Sequence, residues 1–175
     1  LFWLETGTSG KLRVRGDFAD QLGVLLPASY LSFVSTDSAV ATVTSDGSIV
    51  ATGDGTAVIK VHSHGIQAVN AIRVFALPGL SAEDLADYGF DGSLIDIDVY
   101  PDTLALVANG GQRQFRVSGP DGSEISTAAS GVLYFVSNPE VASVTDNGLV
   151  VGLNPGKATL SIVHYGDQVD VPLRV

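Results

Sequence analysis

The chain has 175 residues, of which 45% are hydrophobic, and a formal net charge of −10. It contains no cysteine, which excludes disulfides and cysteine-bound metals. Its acidity argues against nucleic acid as a partner, because that partner requires a basic surface. No apolar run approaches the roughly 18 residues of a membrane-spanning helix, so we expect no membrane insertion in this segment. Methionine is also absent, which indicates that Leu1 is not a natural start and that the segment is a monomeric module of a longer chain.

The opening strands carry one recognisable binding motif. Residues 1–4 (Leu-Phe-Trp-Leu) predict a core strand with Trp3 packed inside. An alternating strand then runs from Leu12 into Arg15-Gly16-Asp17, a tripeptide that many integrin ligands present at a loop tip. Such a motif holds a cation and a carboxylate apart, one for an acidic groove and one for a metal ion. The same residues are also the plain end of a strand, and both interpretations stay open.

Residues 40–74 recur at 141–175. The two stretches align without a gap at an offset of 101, and 12 of their 35 positions are identical. The shared positions include the glycines of the turns and Ala57, which meets Ala158. Because internal repetition decides the architecture before other features do, the chain is expected to hold two domains of about 80 residues each.

Each repeat predicts four strands separated by three turns. Asp46-Gly47 is typical of a tight two-residue hairpin turn, which needs positive φ angles. Alternating apolar residues then begin at Ala57, and a later turn falls at His64-Gly65. Short strands with turn signals at such intervals are typical of an antiparallel sandwich or barrel.

The repeated residues also resemble a known family, the bacterial immunoglobulin-like domain, group 2. The residues that carry the resemblance are Val40-Ala41-Thr42-Val43, Val141-Ala142-Ser143-Val144, Asp146-Asn147-Gly148-Leu149-Val150 and Asn154-Pro155-Gly156-Lys157-Ala158. Upstream, residues 12–16 align more loosely with residues 115–119. The resemblance implies an all-β fold: two tandem immunoglobulin-like antiparallel β-sandwiches joined by a short, partly helical acidic linker.

The repeat sets the expected domain boundaries. We expect the first sandwich at residues 1–79, the linker at 80–91 and the second sandwich at 92–175. Within the linker, residues 81–89 predict a short helix capped by Ser81 and ended by a glycine. The first copy has no counterpart of the strand predicted at residues 95–99, so we expect it to lack its first strand.

Acidic residues crowd the linker and the strand after it. Several carboxylates near a domain junction are hard oxygen ligands of the kind that calcium prefers, and the candidate ligands are Asp87, Asp91, Asp96 and Asp98. The alternative is that Asp96 and Asp98, alternating with β-branched residues, face solvent and protect a sheet edge from pairing. Calcium is the one cofactor that the sequence suggests.

His62 and His64 form a second candidate metal pair, since alternate residues share one face of a strand. No third ligand is evident, and the second copy has Val163 and Tyr165 at these positions. The alternative is that both are polar residues on a solvated strand.

No catalytic motif is evident, so we do not expect an enzyme. The resemblance implies a stalk, spacer or adhesion module of a bacterial cell-surface or secreted protein, as in intimin- and invasin-like adhesins, with a protein or polysaccharide partner at a cell surface. One alternative is a decoration domain of a phage tail or capsid, on a virion. Another is an accessory carbohydrate-binding or spacer module of a polysaccharide-active enzyme, which needs exposed coplanar rings. The candidate rings are Tyr30, Tyr100, Tyr134 and Tyr165.

Overall fold

The computed structural model describes residues 2–18, 20–76 and 97–175. The chain divides into two compact units, one drawn mainly from residues 2–76 and the other mainly from residues 97–175. The expected linker at 80–91, the helix expected at 81–89 and the boundaries at 79 and 92 lie outside the described residues. Each unit is all-β and is described here by itself.

The first unit is a sandwich of two main sheets. Its strands are β1 (Phe2–Glu5), β2 (Ser9–Lys11), β3 (Arg15–Gly16), β4 (Val24–Leu25), β5 (Ser32–Ser35), β6 (Ala41–Val43), β7 (Ser48–Ala51), β8 (Gly55–Ser63) and β9 (Ile66–Phe75). One sheet has the order β1-β9-β8-β5, with β1 parallel to β9, and the other has the order β2-β7-β6. A small hairpin of β3 and β4 extends the second sheet's first strand.

The second unit repeats this plan with one strand added at its start and with the counterpart of β4 reduced to a single bridge, Ser118 with Glu124. Its strands are β10 (Asp98–Tyr100), β11 (Leu104–Ala105), β12 (Gln112–Gln114), β13 (Arg116–Ser118), β14 (Val132–Val136), β15 (Ala142–Val144), β16 (Leu149–Gly152), β17 (Lys157–His164) and β18 (Asp167–Arg174). The sheets have the orders β11-β18-β17-β14 and β12-β16-β15, and β11 is parallel to β18. The added strand, β10, pairs antiparallel with β13.

The core of each unit lies between its two sheets, where alternate residues of each strand point inward. In the first unit Ile49, Ile59 and Ile72 are fully buried. In the second unit Phe115 and Leu160 occupy the centre. Ala57 and Ala158, which begin the alternating series, are both buried in these cores. The sequence-based prediction of two sandwiches with alternating core positions is therefore confirmed.

Backbone hydrogen bonds repeat between the units in the predicted register. The amide of Thr36 donates to Val58 O at 3.0 Å, and the amide of Ser137 donates to Thr159 O at 2.8 Å. The upstream alignment holds as well, because Leu12 N donates to Gly47 O and Phe115 N donates to Gly148 O, both at 2.9 Å. Residues 40–74 and 141–175 thus trace the same strands and turns.

The turn at Gly47 differs from the two-residue turn that the sequence predicted. Only Gly47 has a positive φ, +81°, and Thr44 N bonds Ser48 O across three intervening residues. This geometry is a type I turn followed by a left-handed glycine. The two-residue turn occurs instead at His64-Gly65, where both residues have positive φ.

Trp3 also departs from its prediction as a packed core residue. Its side chain is 50% exposed, whereas the neighbouring Leu4 packs against the core. Successive side chains of a strand point to opposite faces, so when Leu4 points inward Trp3 must point outward. Trp3 therefore lies on the outer, solvent-facing side of its sheet.

Candidate functional site

The Arg15-Gly16-Asp17 motif lies where β3 passes into its loop. Residues 17–23 connect β3 to β4, and Arg15 and Asp17 are both exposed. Arg15 Nη1 donates to Gly23 O at 2.7 Å, and the amide of Gly23 donates to Asp17 Oδ1 at 2.8 Å. Both charged side chains therefore bind the far end of their own loop and hold it closed.

The same loop exposes apolar side chains. Phe18 is 51% exposed and Leu22 is 77% exposed. In the second unit β13 ends at Ser118, and Ser118 forms a single antiparallel bridge with Glu124. The turn between these two residues is shorter than residues 17–23. It carries no arginine-glycine-aspartate sequence. The motif is thus part of a feature that belongs to the first unit alone.

Integrin binding at this loop stays a prediction. It predicts that Asp17→Ala abolishes the attachment of integrin-bearing cells to immobilised protein. Because the Asp17 carboxylate also holds Gly23, the variant should first be checked for an unchanged melting temperature. Equal attachment by the folded variant and the wild type would remove the hypothesis.

Only one of the four candidate calcium ligands can be placed. Asp98 is exposed on β10, directly after the buried Ile97, so its carboxylate faces away from the core as the alternation predicts. Asp87, Asp91 and Asp96 lie outside the described residues. Across the residues that can be placed, no group of three or more His, Cys, Asp or Glu side chains could hold a metal ion. The calcium site stays a prediction.

His62 and His64 line an open hollow of about 440 Å³ together with Tyr30 and neighbouring serines. The two histidines do not lie on one strand as the sequence suggested, because β8 ends at Ser63 and His64 lies in the turn with φ of +49°. Its Nδ1 lies 3.1 Å from Ser63 Oγ. The walls of the hollow are therefore mainly polar.

The four candidate tyrosines occupy different environments. Tyr30, Tyr100 and Tyr165 are exposed, and the guanidinium of Arg113 lies 5.7 Å from the centre of the Tyr100 ring. Tyr134 points inward and donates from its hydroxyl to Ser126 O at 2.8 Å. Burial, aided by the nearby Glu124 carboxylate, raises the pKa of Tyr134 to about 12. Tyr134 is a structural residue, so it is unsuited to a sugar-stacking platform.

Sequence reasoning missed a row of cations on one strand face. Lys11, Arg13 and Arg15 alternate with inward-facing residues and are all exposed. Lys11 Nζ forms an ion pair with Asp46 Oδ2 at 2.9 Å. Their alternation was visible in the sequence, but their position at a sheet edge depends on which strands pair.

Comparison with known families places the second unit. The family model of the bacterial Ig-like domain (group 2) matches residues 96–170. The second unit is a bacterial Ig-like domain of group 2. The first unit lies outside that match and repeats its strand order and backbone hydrogen bonds. No curated protein matches the chain.

Solved structures similar to the chain include surface-layer and adhesin fragments. Domains 1–6 of the surface layer protein SbsC are 24% identical over 87% of this chain, with a TM-score of 0.36. This chain covers 21% of that structure. Domains 4 and 5 of the same protein are 25% identical over 95% of this chain and 82% of theirs, with a TM-score of 0.36. A C-terminal fragment of intimin in complex with its receptor's intimin-binding domain is 15% identical over 92% of this chain and 55% of its own length, with a TM-score of 0.27. TM-scores this low do not bear on what the present chain binds.

Within the part of the chain that the structure describes, no helix is long and apolar enough to cross a membrane.

Proposed function

We propose that this segment is a non-catalytic, load-bearing spacer or adhesion module of a bacterial cell-surface or secreted protein. The observation that carries the proposal is the parallel pairing of a strand near the start of each unit with its last strand, β1 with β9 and β11 with β18. A parallel terminal pair brings the chain into the unit at one pole and takes it out at the opposite pole. Such units can be strung end to end.

This pairing also determines how each unit resists mechanical unfolding. When the two ends of a unit are pulled apart, the parallel strands are loaded in shear, so their hydrogen bonds bear the load together. In the first unit the register runs from Phe2 with Ile72 to Glu5 with Phe75. Thr6 N adds a bond to Phe75 O at 2.9 Å. A continuous terminal ladder is suited to a module that transmits tension.

The pattern of repetition supports the same proposal. The positions shared by the units are those that fold the chain, such as the hairpin glycines Gly47 and Gly148. The candidate functional side chains of the first unit are not shared, since His62 corresponds to Val163 and Arg15 to Ser118. Repetition that preserves the scaffold and varies the surface favours a structural role over a repeated active site.

Single-molecule pulling on the complete segment tests the proposal. We expect two resolvable unfolding events, one for each unit. We expect Leu4→Pro to lower the unfolding force of the first unit. Proline removes an amide donor from the ladder, while Leu4→Ala is the matched control for lost packing without loss of the donor. Extension of the wild type without resolvable force peaks, or equal unfolding forces for the two variants, would contradict the load-bearing role.

A further inference from the structure

We propose that the open hollow of the first unit is a binding site for a neutral hexopyranose sugar, as one residue of a glycan. The hollow has a volume of about 440 Å³, within the range of roughly 300–1,000 Å³ that small-molecule sites occupy. Its lining residues are Ser29, Tyr30, Leu31, Ser32, His62, Ser63 and His64. Sugar binding here is independent of the load-bearing role, which rests on the parallel strand pairs.

The fold of the first unit holds the walls of the hollow in place. Ser32 of β5 lies opposite His62 of β8 in an antiparallel ladder, so their side chains share one face of the sheet. Phe33, the next residue of β5, packs against the core, which places Ser32 and His62 on the outer face. Tyr30 is the last residue of a short 3-10 helix, Ala28–Tyr30, that leads into β5. The backbone on both sides of the hollow is therefore hydrogen-bonded.

The corresponding place in the second unit is covered by aromatic rings. The register of β14 with β17 aligns Gly131 with Tyr30 and Tyr165 with His64. A β-carbon placed at Gly131 would lie 3.0 Å from Tyr165 Cζ, so the tyrosine ring lies directly on the glycine. The His164 ring contacts the same tyrosine, with ring centroids 4.4 Å apart.

The first unit exchanges the large and small residues of this arrangement. Tyr30 stands in place of the glycine, and Ser63 and His64 stand in place of His164 and Tyr165. Tyr30 is 62% exposed, and Ser63 Oγ lies 3.1 Å from His64 Nδ1. The side chains that cover Gly131 thus have smaller counterparts in the first unit, and the hollow stays open beside an exposed ring.

The lining matches the two kinds of surface that a pyranose presents. The exposed ring of Tyr30 offers an apolar face to the C–H groups of a sugar. The serine hydroxyls donate and accept hydrogen bonds, and a neutral imidazole does the same through its two nitrogens. Among the lining residues that the structure describes, none carries a carboxylate, ammonium or guanidinium group, which favours an uncharged ligand.

A single site of this kind is expected to bind weakly. Exposed polar groups exchange hydrogen bonds with water for hydrogen bonds with the sugar, so the net gain of each is small. We expect a Kd on the order of 1 mM for one sugar residue. Several modules displayed together would bind a polysaccharide more tightly through multivalency.

Nuclear magnetic resonance titration of the complete, isotope-labelled segment tests the proposal. The probes are the methyl glycosides of glucose, galactose, mannose and N-acetylglucosamine. We expect saturable shifts of the amides of Tyr30, Ser32 and His62 with at least one of them. Tyr30→Ala should weaken that binding roughly five- to tenfold, because it removes the stacked ring. Tyr100→Ala is the matched control, since it removes a similarly exposed tyrosine of the second unit and should leave the affinity unchanged.

A second variant closes the hollow with the residues of the second unit, by combining Tyr30→Gly, Ser63→His and His64→Tyr. The backbone accepts a tyrosine at position 64, because Tyr165 has φ of +43° where His64 has +49°. We expect a folded protein without sugar binding. No saturable shift with any of the four sugars, shifts that lie away from the hollow, or wild-type affinity of the folded triple variant would overturn the proposal. Shifts of the same amides with inorganic phosphate and with none of the sugars would replace it with an anion site.

Discussion

In the first unit the hairpin between β6 and β7 is joined to β2 by an ion pair, from Lys11 Nζ to Asp46 Oδ2 at 2.9 Å. In the second unit the corresponding hairpin, between β15 and β16, is joined to β12 by a neutral hydrogen bond, from Gln114 Nε2 to Asn147 O at 2.6 Å. The backbone around the two bonds is the same. The comparison indicates that the main-chain ladder and the glycine positions specify this fold, and that side-chain chemistry at the surface can change without altering it.

A second contrast lies in the aromatic residue that covers the hairpin glycine. A β-carbon placed at Gly47 would lie 3.1 Å from Phe33 Cζ, and one placed at Gly148 would lie 2.8 Å from Tyr134 Cζ. Tyr134 is also held by its hydrogen bond to Ser126 O, which Phe33 cannot make. The Tyr134 ring is therefore less able than the Phe33 ring to move aside for a β-carbon at the hairpin glycine.

The largest expected effect comes from a charge in either core. We expect Ala57→Asp to unfold the first unit and Ala158→Asp to unfold the second, because a buried unpaired carboxylate costs several kcal/mol, against about 5 kcal/mol of stability for a small domain. Trp3, the single tryptophan, reports on the first unit, and calorimetry reports on both. Melting within about 3 °C of the wild type for either variant would show that the core is wrongly assigned.

The hairpin glycines give the next largest effect. We expect Gly47→Ala to destabilise the first unit by about 2 kcal/mol and Gly148→Ala to destabilise the second by about 3 kcal/mol, since both require a positive φ and only Gly148 also displaces a bonded ring. Gly65→Ala and Gly122→Ala are matched controls with positive φ and open space around the β-carbon. Urea unfolding curves measure all four, and equal losses at Gly148 and Gly122 would contradict the ring contact.

The strands and turns of residues 40–74 and 141–175 could be predicted because their signals are local. The alternation of apolar residues predicted that Ala57 and Ala158 are buried, and the occurrence of the same alternation in both repeats supported that prediction. The outward position of Trp3 could not be predicted, because residues 1–4 are all apolar and the alternate set that faces the core is decided by the pairing of β1 with β9.

The binding features were harder to predict for the same reason. The tripeptide at Arg15 was visible, but its attachment to Gly23 depends on how the loop returns to β4. The shared outward direction of Lys11, Arg13 and Arg15 became clear only when the pairing of β2 and β3 was known. The prediction that His62 and His64 lie on one strand was wrong, because β8 ends at Ser63 and His64 belongs to the turn.

A smaller effect is expected from the Tyr134 hydroxyl. Tyr134→Phe makes the second unit resemble the first at this position and leaves Ser126 O without its donor, so we expect a loss of about 1 kcal/mol in the second unit alone. Because the folded pKa of Tyr134 is raised to about 12, its contribution is present below the ordinary tyrosine pKa and is lost as the pH rises through the raised value. Ultraviolet titration of the wild type should show the late ionisation of Tyr134, which the variant lacks. An unchanged titration curve would contradict this assignment.

The smallest expected effect concerns acid and follows from the ion pair that distinguishes the units. Hydrogen bonds from Thr44, together with those from Lys11 and Ser48, hold the pKa of Asp46 well below its usual range. A carboxyl group with a lowered folded pKa stabilises the fold above its unfolded pKa, near 4, and loses that contribution as the pH falls through the lowered value.

Asn147 occupies this position in the second unit and does not titrate. We therefore expect Asp46→Asn to melt below the wild type at neutral pH, in the first transition only, and the two melting temperatures to converge as the pH falls below about 4. Asp121→Asn is the matched control in the second unit, because hydrogen bonds from Ser123 lower the pKa of Asp121 in the same way. Asp121→Asn should reduce the dependence of the second unit's melting temperature on pH in acid. It should leave the pH dependence of the first unit's melting temperature unchanged. A constant gap between wild type and Asp46→Asn down to pH of about 2 would mean that the charge of Asp46 does not stabilise the hairpin, and the difference between the units at this turn would then be one of shape alone.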